Sequence, residues 1–206
     1  MKKLFLLLLL YFSSVPSINA ETVRIISGNK DAKITIIVYE SLTCSHCANF
    51  HNEIYPLLKK EYIDTGLAKI EFRHFPLDVA ALNASKIAQC KQNQSTKLGL
   101  KILESLYSNQ QAWVRGNTKE EINENLKKFL KEEGFNLDFE KCINNKKIED
   151  FVLNDRIEGV KKFKVNATPT IIINDKKFEK SLNYKNLKKT LEKLIQVNAW
   201  SLKKSN

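Results

Sequence analysis

The sequence lacks any apolar stretch that is long enough to cross a membrane. Its longest unbroken apolar run, residues 4–12, has nine residues, whereas a membrane-spanning helix needs about twenty. Internal repeats, low-complexity segments and linker-like stretches are also absent from the 206 residues. These absences favour a single globular domain that buries its own core and has room for one inserted segment.

The N-terminal residues have the composition of a secretory signal peptide. Lys2 and Lys3 give a positive start, the short apolar run follows, and Ala20 offers a small residue at the cleavage point. This layout predicts a signal peptide over residues 1–20 and export of the remaining chain. An uncleaved membrane anchor would need a longer apolar run, and no cysteine follows the run to indicate a lipoprotein.

Positive charge exceeds negative charge along the chain. The formal net charge is +11, and it falls to +9 when Lys2 and Lys3 leave with the signal peptide. The lysines are scattered, often as pairs such as Lys59-Lys60, and acidic residues lie between them. A nucleic-acid site gathers its basic residues on one face. We therefore interpret the excess charge as a solvated basic surface and expect no nucleic-acid partner.

The first part of the exported chain has the pattern of a βαβ unit. Residues 34–39 are nearly all β-branched or aromatic, which predicts a strand buried on both faces. Apolar residues then recur at helical spacing from Cys47 to Leu58, and Pro56 is predicted to kink or break that helix. Residues 68–75 alternate apolar and polar, which predicts a second strand parallel to the first.

The rest of the chain changes from helical to strand character. Between residues 79 and 164 the apolar residues recur at helical spacing and no convincing strand pattern is found. β-branched residues return at 168–173, and a final amphipathic helix carries Leu187 and Leu191. We therefore expect an α/β fold with a helical insertion over residues 79–164.

Cys44-Ser45-His46-Cys47 stands where the buried strand meets the start of the helix. The free backbone N–H groups and the positive end of the helix dipole at that place stabilise a thiolate. Cys44 is therefore the candidate attacking thiol. Cys47, one turn further on, can resolve a mixed disulfide. His46 lies between them and can stabilise the Cys44 thiolate when the imidazole is charged.

Two other uses of the motif stay open at this stage. The two cysteines could form an inert structural bridge, or they could be half of a zinc site, which would want a second Cys-x-x-Cys or paired histidines. Cys90 and Cys142 stand singly far downstream, and an even cysteine count in an exported chain predicts disulfides. His51 keeps the metal interpretation open, although it fits better as a packed helix residue.

Thr168-Pro169 opens the returning strand. A trans proline in a central strand would remove a bond of the ladder. A cis bond that leaves the Thr168 backbone available to a bound peptide explains the pair better. An ordinary trans proline that starts the strand is the alternative.

These motifs together resemble the DsbA family of bacterial periplasmic thiol–disulfide oxidoreductases, in particular its alphaproteobacterial branch. The resemblance covers essentially the whole exported chain. It rests on SLTCSHCANFH at residues 41–51, DTG at 64–66, FRHFPLD at 72–78 and VNATPT at 165–170. It implies a thioredoxin fold over residues 21–78 and 165–206, interrupted by the inserted helical domain, residues 79–164.

The resemblance also implies an activity and roles for individual residues. The protein would be a periplasmic enzyme that introduces disulfide bonds into secreted proteins bearing thiols, with Cys44 attacking, Cys47 resolving and Pro169 as the facing cis proline. Cys90 and Cys142 fall where this branch carries a second, non-catalytic bridge. No cofactor beyond the disulfide itself is implied, and a membrane redox partner would reoxidise the enzyme.

The chain departs from the family at two positions that influence the thiolate. Ser45 stands where the family usually has proline. Val38 stands where many members have a buried acid, and the nearest acid is Glu40. We expect a disulfide donor, because the helix start and His46 stabilise the reduced state. A disulfide isomerase or reductase is the alternative within the enzyme class, and a metal-binding or chaperone module is the alternative outside it.

Overall fold

The computed structural model describes residues 22–93 and 95–204. The predicted signal peptide, residues 1–20, lies outside the described residues. Within the described part, no helix combines the length and the apolarity that crossing a bilayer requires.

A five-stranded mixed sheet forms the centre of the molecule, in the order β1-β3-β2-β4-β5. The central strand β2 pairs in parallel with β3, and β4 pairs antiparallel with β2 on its other side. The outer strands β1 and β5 are short and antiparallel to their neighbours. The strands are β1 Ile25–Ser27, β2 Ile34–Glu40, β3 Ala68–His74, β4 Thr170–Ile173 and β5 Lys176–Lys177.

One helical segment connects β2 to β3 and completes the predicted βαβ unit. It consists of α1 (Ser45–Asn49), a π-helical turn (Phe50–Ile54), α2 (Tyr55–Leu58) and a second π-helical turn (Lys59–Ile63). The predicted break at Pro56 does not occur, because the chain stays helical on both sides of it, but the hydrogen-bond register of the helix changes just before this proline. The π turn ends just before α2, so Pro56 lies in the first turn of α2, where no backbone N–H is required.

The described residues between 79 and 163 form helices and their connections, and we call this part the helical region. Its buried side chains do not form a core of their own. Ile87, Leu126 and Val152 belong to the same apolar cluster as Val38 and Ile70 of the sheet. The helices are α3 Val79–Gln92, α4 Thr96–Ser108, α5 Gln110–Trp113, α6 Lys119–Glu132, α7 Phe139–Ile143 and α8 Lys146–Phe163.

A network of charged side chains fastens α8 to the sheet. Asp155 is 2% exposed; it pairs with Arg24 and with Arg73, and its second oxygen accepts from the backbone N–H of His74. Arg73 pairs in addition with Glu158 of α8, at 3.1 Å. Buried charges persist only when they are paired, so this network fixes the position of the helical region against β1 and β3.

The last two strands lie on the side of β2 away from β3. The turn between β4 and β5 places Asn174 and Asp175 in the left-handed region, which asparagine and aspartate tolerate. Asn174 Oδ1 accepts from the backbone N–H of Thr35, at 2.8 Å, and so fixes the turn to β2. The last helix, α9 Tyr184–Lys204, buries Leu187 and Leu191 against the core.

Candidate active site

Cys44 and Cys47 lie at the carboxyl end of β2, where the chain turns into α1. Cys44 caps the helix with an extended backbone, and its carbonyl accepts from the N–H groups of Cys47 and Ala48 at 3.1 Å. Both thiols are free; the Cys44 side chain is partly exposed and Cys47 is 0% exposed. The position therefore gives one reachable thiol and one buried thiol directly behind it.

The surroundings of Cys44 favour its thiolate. A hydrogen bond from the Cys47 thiol lowers the pKa of Cys44 from 9.0 to about 5, helped by the Thr168 side chain and by the backbone N–H groups of Cys47 and His46. Partial burial opposes this shift without cancelling it. Cys44 is therefore largely ionised at neutral pH, and a thiolate is the reactive form of cysteine.

Cys47 behaves in the opposite way. Burial raises the pKa of the Cys47 thiol far above its ordinary value, and the neighbouring Cys44 and the Glu40 carboxylate raise it further. Cys47 therefore stays protonated and donates to Cys44. The two cysteines of one motif thus have different acidity because one reaches solvent and the other lies in the core.

His46 contributes to the Cys44 thiolate through its backbone. Its backbone N–H is among the groups that lower the pKa of Cys44, and the effect of a charged imidazole stays a prediction. The physical reason for the backbone contribution is the place of His46 in the first turn of α1, which aims its N–H at the thiol and leaves its side chain exposed. The imidazole instead lines a groove beside Pro169.

The Thr168–Pro169 peptide bond is cis, and the alternative of a trans proline does not apply. It brings Thr168 against the motif, and the Cys44 sulfur lies 3.4 Å from the Thr168 carbonyl oxygen, to which it donates only when the thiol is protonated. A groove of about 360 Å³ begins here, which we call the cis-proline groove; its walls include His46, Asn49, Glu53, Pro169 and Leu182.

Glu40, His51 and Tyr107 form a buried polar cluster behind Cys47. Glu40 Oε2 and His51 Nε2 are 2.8 Å apart, and both side chains are 2% exposed. The Tyr107 ring stacks on the His51 ring with 4.0 Å between centroids. Because the Glu40 charge raises the pKa of Cys47, this cluster belongs to the site although sequence reasoning treated His51 as packing.

Strand periodicity explains how Glu40 reaches the site. Side chains two residues apart point to the same face of a strand. Val38 and Glu40 therefore both face the helical segment, so an acid at position 40 lies on the same side as one at position 38. The chain therefore lacks the family's acid at position 38 but still places a buried carboxylate, that of Glu40, near Cys47.

The helical region supplies a residue that holds the active-site loop. The Gln110 side-chain amide donates to the carbonyl oxygens of Leu42 at 2.8 Å and of Cys44 at 3.1 Å. On the other side of the loop, Thr43 Oγ1 donates to Asp78 Oδ2 at 2.7 Å. No motif in the sequence indicated Gln110, because it reaches the loop from 66 residues away.

The remaining predicted residues lie away from the motif. Cys90 of α3 and Cys142 of α7 are joined by a disulfide, so the helical region is cross-linked and Cys44 and Cys47 remain a separate pair. Among the described residues, no three side chains of His, Cys, Asp or Glu gather as metal ligands do. His51, the residue that kept a metal interpretation open, is engaged by Glu40.

Comparison with known proteins gives consistent similarities. The profile of the thioredoxin family matches residues 20–193. The crystal structure of Wolbachia pipientis alpha-DsbA1 superposes with a TM-score of 0.78 at 29% identity, over 87% of this chain and 94% of that one. Disulfide bond formation protein D of Bacillus subtilis is 27% identical over 197 residues, which is 89% of this chain and 81% of that protein.

A Rickettsia bellii protein with the provisional name protein-disulfide oxidoreductase is 30% identical over 150 residues, which is 71% of this chain and 55% of that protein. The chain thus spans only about half the length of the Rickettsia relatives it matches.

Proposed function

The chain belongs to the DsbA branch of the thioredoxin family, and from this we propose that it is a thiol–disulfide oxidoreductase that introduces disulfide bonds into exported proteins. Cys44 is the attacked and attacking sulfur, Cys47 the resolving sulfur, and Thr168-Pro169 the segment against which substrate lies. His46 supports the Cys44 thiolate through its backbone and contributes to the adjoining groove.

One observation carries this proposal above the others: the exposed thiol has the lowered pKa and the buried thiol the raised one. A stable Cys44 thiolate is a good leaving group, and it stabilises the reduced protein relative to the disulfide. A protein that prefers to be reduced passes its disulfide to others. This order of the two pKa values favours oxidation of substrates over the alternatives of reduction and isomerisation.

The reaction balances as two successive exchanges. A substrate thiolate attacks Cys44 Sγ of the Cys44–Cys47 disulfide, the S–S bond breaks, and its electron pair goes to Cys47, which takes up a proton. A second substrate thiolate then attacks the substrate sulfur of the mixed disulfide and expels Cys44 as a thiolate. The substrate loses two electrons and two protons, and the protein gains two electrons as a thiol and a thiolate.

The compartment follows from the predicted signal peptide. Export to the periplasm would place the protein among secreted proteins with free thiols, and a membrane redox partner would remove the two electrons after each cycle. We expect the N-terminal residue of the protein from its native envelope to be Glu21. Recovery of the protein with Met1 retained would contradict the export part of the proposal.

The reduction potential of the Cys44–Cys47 pair against glutathione tests the direction of the reaction. We expect a potential clearly more oxidising than the value of about −270 mV that is typical of thioredoxin. When each variant is offered a substrate that already carries a disulfide, the Cys44 thiolate of Cys47→Ala should attack one substrate sulfur, expel the other as a thiolate and accumulate the mixed disulfide, while Cys44→Ala should accumulate none. A potential at or below that of thioredoxin would make a reductant the better account.

A further inference from the structure

A second groove lies along the active-site helix beside the cis-proline groove, and Asn49 lines both. It has a volume of about 420 Å³ and lies between the α1 segment and the α4–α5 connection. Ser45, the residue after Cys44, is among its lining residues. We call it the amide groove, after the residues that give it its character: Asn49, Asn52, Asn109, Gln110 and Gln111.

The walls of the amide groove suit an extended polypeptide. A carboxamide offers both a donor and an acceptor, which is the pairing that a peptide backbone requires. Gln110 forms the buried floor and is fixed by its bonds to the active-site loop, whereas Asn49, Asn52 and Gln111 are exposed. Ser108 Oγ donates to Asn52 Oδ1 at 3.3 Å, which ties the two walls together.

Arg115 is the charged residue among those that line the amide groove. Its Nε donates to the Gln111 carbonyl at 2.6 Å, and no carboxylate of the described residues lies within 4 Å of its guanidinium. The cis-proline groove instead contains the Glu53 carboxylate. Asn49 belongs to both grooves, so the same helix separates an acidic site from a basic one.

We propose that the amide groove binds the polypeptide segment on one flank of the substrate's reacting cysteine, and that Arg115 makes it prefer segments with an acidic side chain. This inference rests on the proposed function and adds a substrate class to it. Ser45, which follows Cys44 in the chain, lines the groove, so a substrate whose sulfur reaches Cys44 can extend one flank into it. An exposed charge acts mainly on the rate of association, and its effect decreases with salt.

The test uses reduced peptides of eleven residues with a single central cysteine in a neutral background. Aspartate or lysine is placed at each of the four positions on either side, and the rate of mixed-disulfide formation with the oxidised protein is measured. When the charged residue stands at neighbouring positions on one flank of the cysteine, we expect the aspartate peptide to react about three- to ten-fold faster than the lysine peptide. High salt should reduce that ratio.

Variants at position 115 distinguish the effect of the groove on the reaction rate from the intrinsic reactivity of each peptide. A charge near the peptide cysteine changes the acidity of that cysteine, but this effect is the same for every protein variant. Arg115→Lys should keep the aspartate-to-lysine ratio, Arg115→Gln should bring it close to the ratio set by the peptides alone, and Arg115→Glu should invert the preference.

Lys119→Glu provides the matched control. Lys119 is an exposed cation at the start of α6, and its replacement changes the net charge as much as Arg115→Glu does. An unaltered ratio in Arg115→Gln, or an equal effect of Lys119→Glu, would overturn the inference and leave the proposed function intact. An oxidised protein that reacts neither with the peptides nor with dithiothreitol would overturn the proposed function itself.

Discussion

At the scale of single residues, two thiols three positions apart acquire opposite acidity from their surroundings. Cys44 receives hydrogen bonds that favour its charged form, whereas Cys47 loses its contact with water and lies near the Glu40 carboxylate. Because a shift of one pKa unit corresponds to a tenfold change in the ionised fraction, the difference decides which sulfur reacts. The Cys-x-x-Cys spacing predicts that the two cysteines have different roles, and their roles differ because Cys47 is buried and Cys44 is partly exposed.

The Glu40 charge gives the first prediction. Glu40→Gln keeps the size of the side chain and removes the charge, so the pKa of Cys47 should fall, because a like charge disfavours a second anion. In a Cys44→Ala background, a small alkylating reagent at alkaline pH should label Cys47 about three- to ten-fold faster when Glu40→Gln is present.

Glu53→Gln supplies the control, because Glu53 is exposed and lines the cis-proline groove. It removes the same charge without changing the surroundings of Cys47. An equal labelling rate with and without Glu40→Gln would show that the carboxylate does not act on Cys47.

The sequence could predict the reacting residues but not the cluster behind them. Cys44, Cys47 and Pro169 are identified from motifs whose geometry is local. Glu40 and His51 meet only because a strand and a helix pack together. Two-residue periodicity could have placed Glu40 on the face of Val38, but nothing local shows that His51 turns towards it.

At the scale of elements, the short helix α5 supports the active-site loop through Gln110. Its amide N–H groups point at the carbonyl oxygens of Leu42 and Cys44 and so reduce the negative potential beside the Cys44 sulfur. Gln110→Ala removes two hydrogen bonds, each worth about 1 kcal/mol, and frees the loop. We expect the pKa of Cys44 to rise by about half a unit to one unit.

Thiolate absorbance at 240 nm against pH measures this shift directly. Gln196→Ala, on the exposed side of α9, removes the same side chain far from the site and should leave the titration unchanged. A loss of stability without a change in the pKa of Cys44 would show that Gln110 contributes to packing and not to the acidity of Cys44.

Elements with a strong periodic pattern were predictable from the sequence, and those that depend on tertiary contacts were not. The strands β2 and β3 and the helices α3, α4 and α6 follow from their apolar spacing. The π turns on either side of α2 change the hydrogen-bond register of the helical segment, and the sequence analysis predicted an irregularity at Pro56 but not its form.

At the scale of the whole molecule, the helical region and the sheet share one core. Residue patterns predict where the helices lie, but they do not show whether an insertion is autonomous. The Cys90–Cys142 bridge closes a loop across this region with a sequence separation of 52. In the chain-entropy model such a loop contributes about 4 kcal/mol, and measured values are often lower.

Replacing both bridge cysteines, as Cys90→Ala with Cys142→Ala, should therefore lower the free energy of unfolding by about 2–4 kcal/mol. Because the region has no separate core, the loss should appear as one cooperative transition in urea, with fluorescence and circular dichroism coinciding. Two transitions would indicate a helical region that unfolds independently. The bridge should also resist a mild reductant that opens the Cys44–Cys47 disulfide, because both its sulfurs are buried.

The acidity of Cys44 makes the stability of the reduced protein depend on pH. Its pKa is about 5 in the folded protein and near 9 when unfolded. The stabilisation is therefore complete above pH 9, decreases as the pH falls, and is absent below pH 5, with a slope of about 1.4 kcal/mol per pH unit. The Cys47 thiol stays neutral when folded, so its ionisation in the unfolded chain above pH 9 reverses the trend.

Urea unfolding of the reduced and oxidised proteins between pH 4 and pH 10 tests this dependence. The oxidised form has no Cys44 thiol, so the difference in free energy of unfolding isolates the pair, while other titrating groups largely cancel. We expect the reduced form to gain about 2–5 kcal/mol relative to the oxidised form between pH 5 and pH 9, less than the full shift because the thiol is partly exposed to solvent. By linkage, a more stable reduced form makes the disulfide more oxidising. A difference that is constant over this range would mean that Cys44 has an ordinary pKa, and the physical basis for a disulfide donor would be lost.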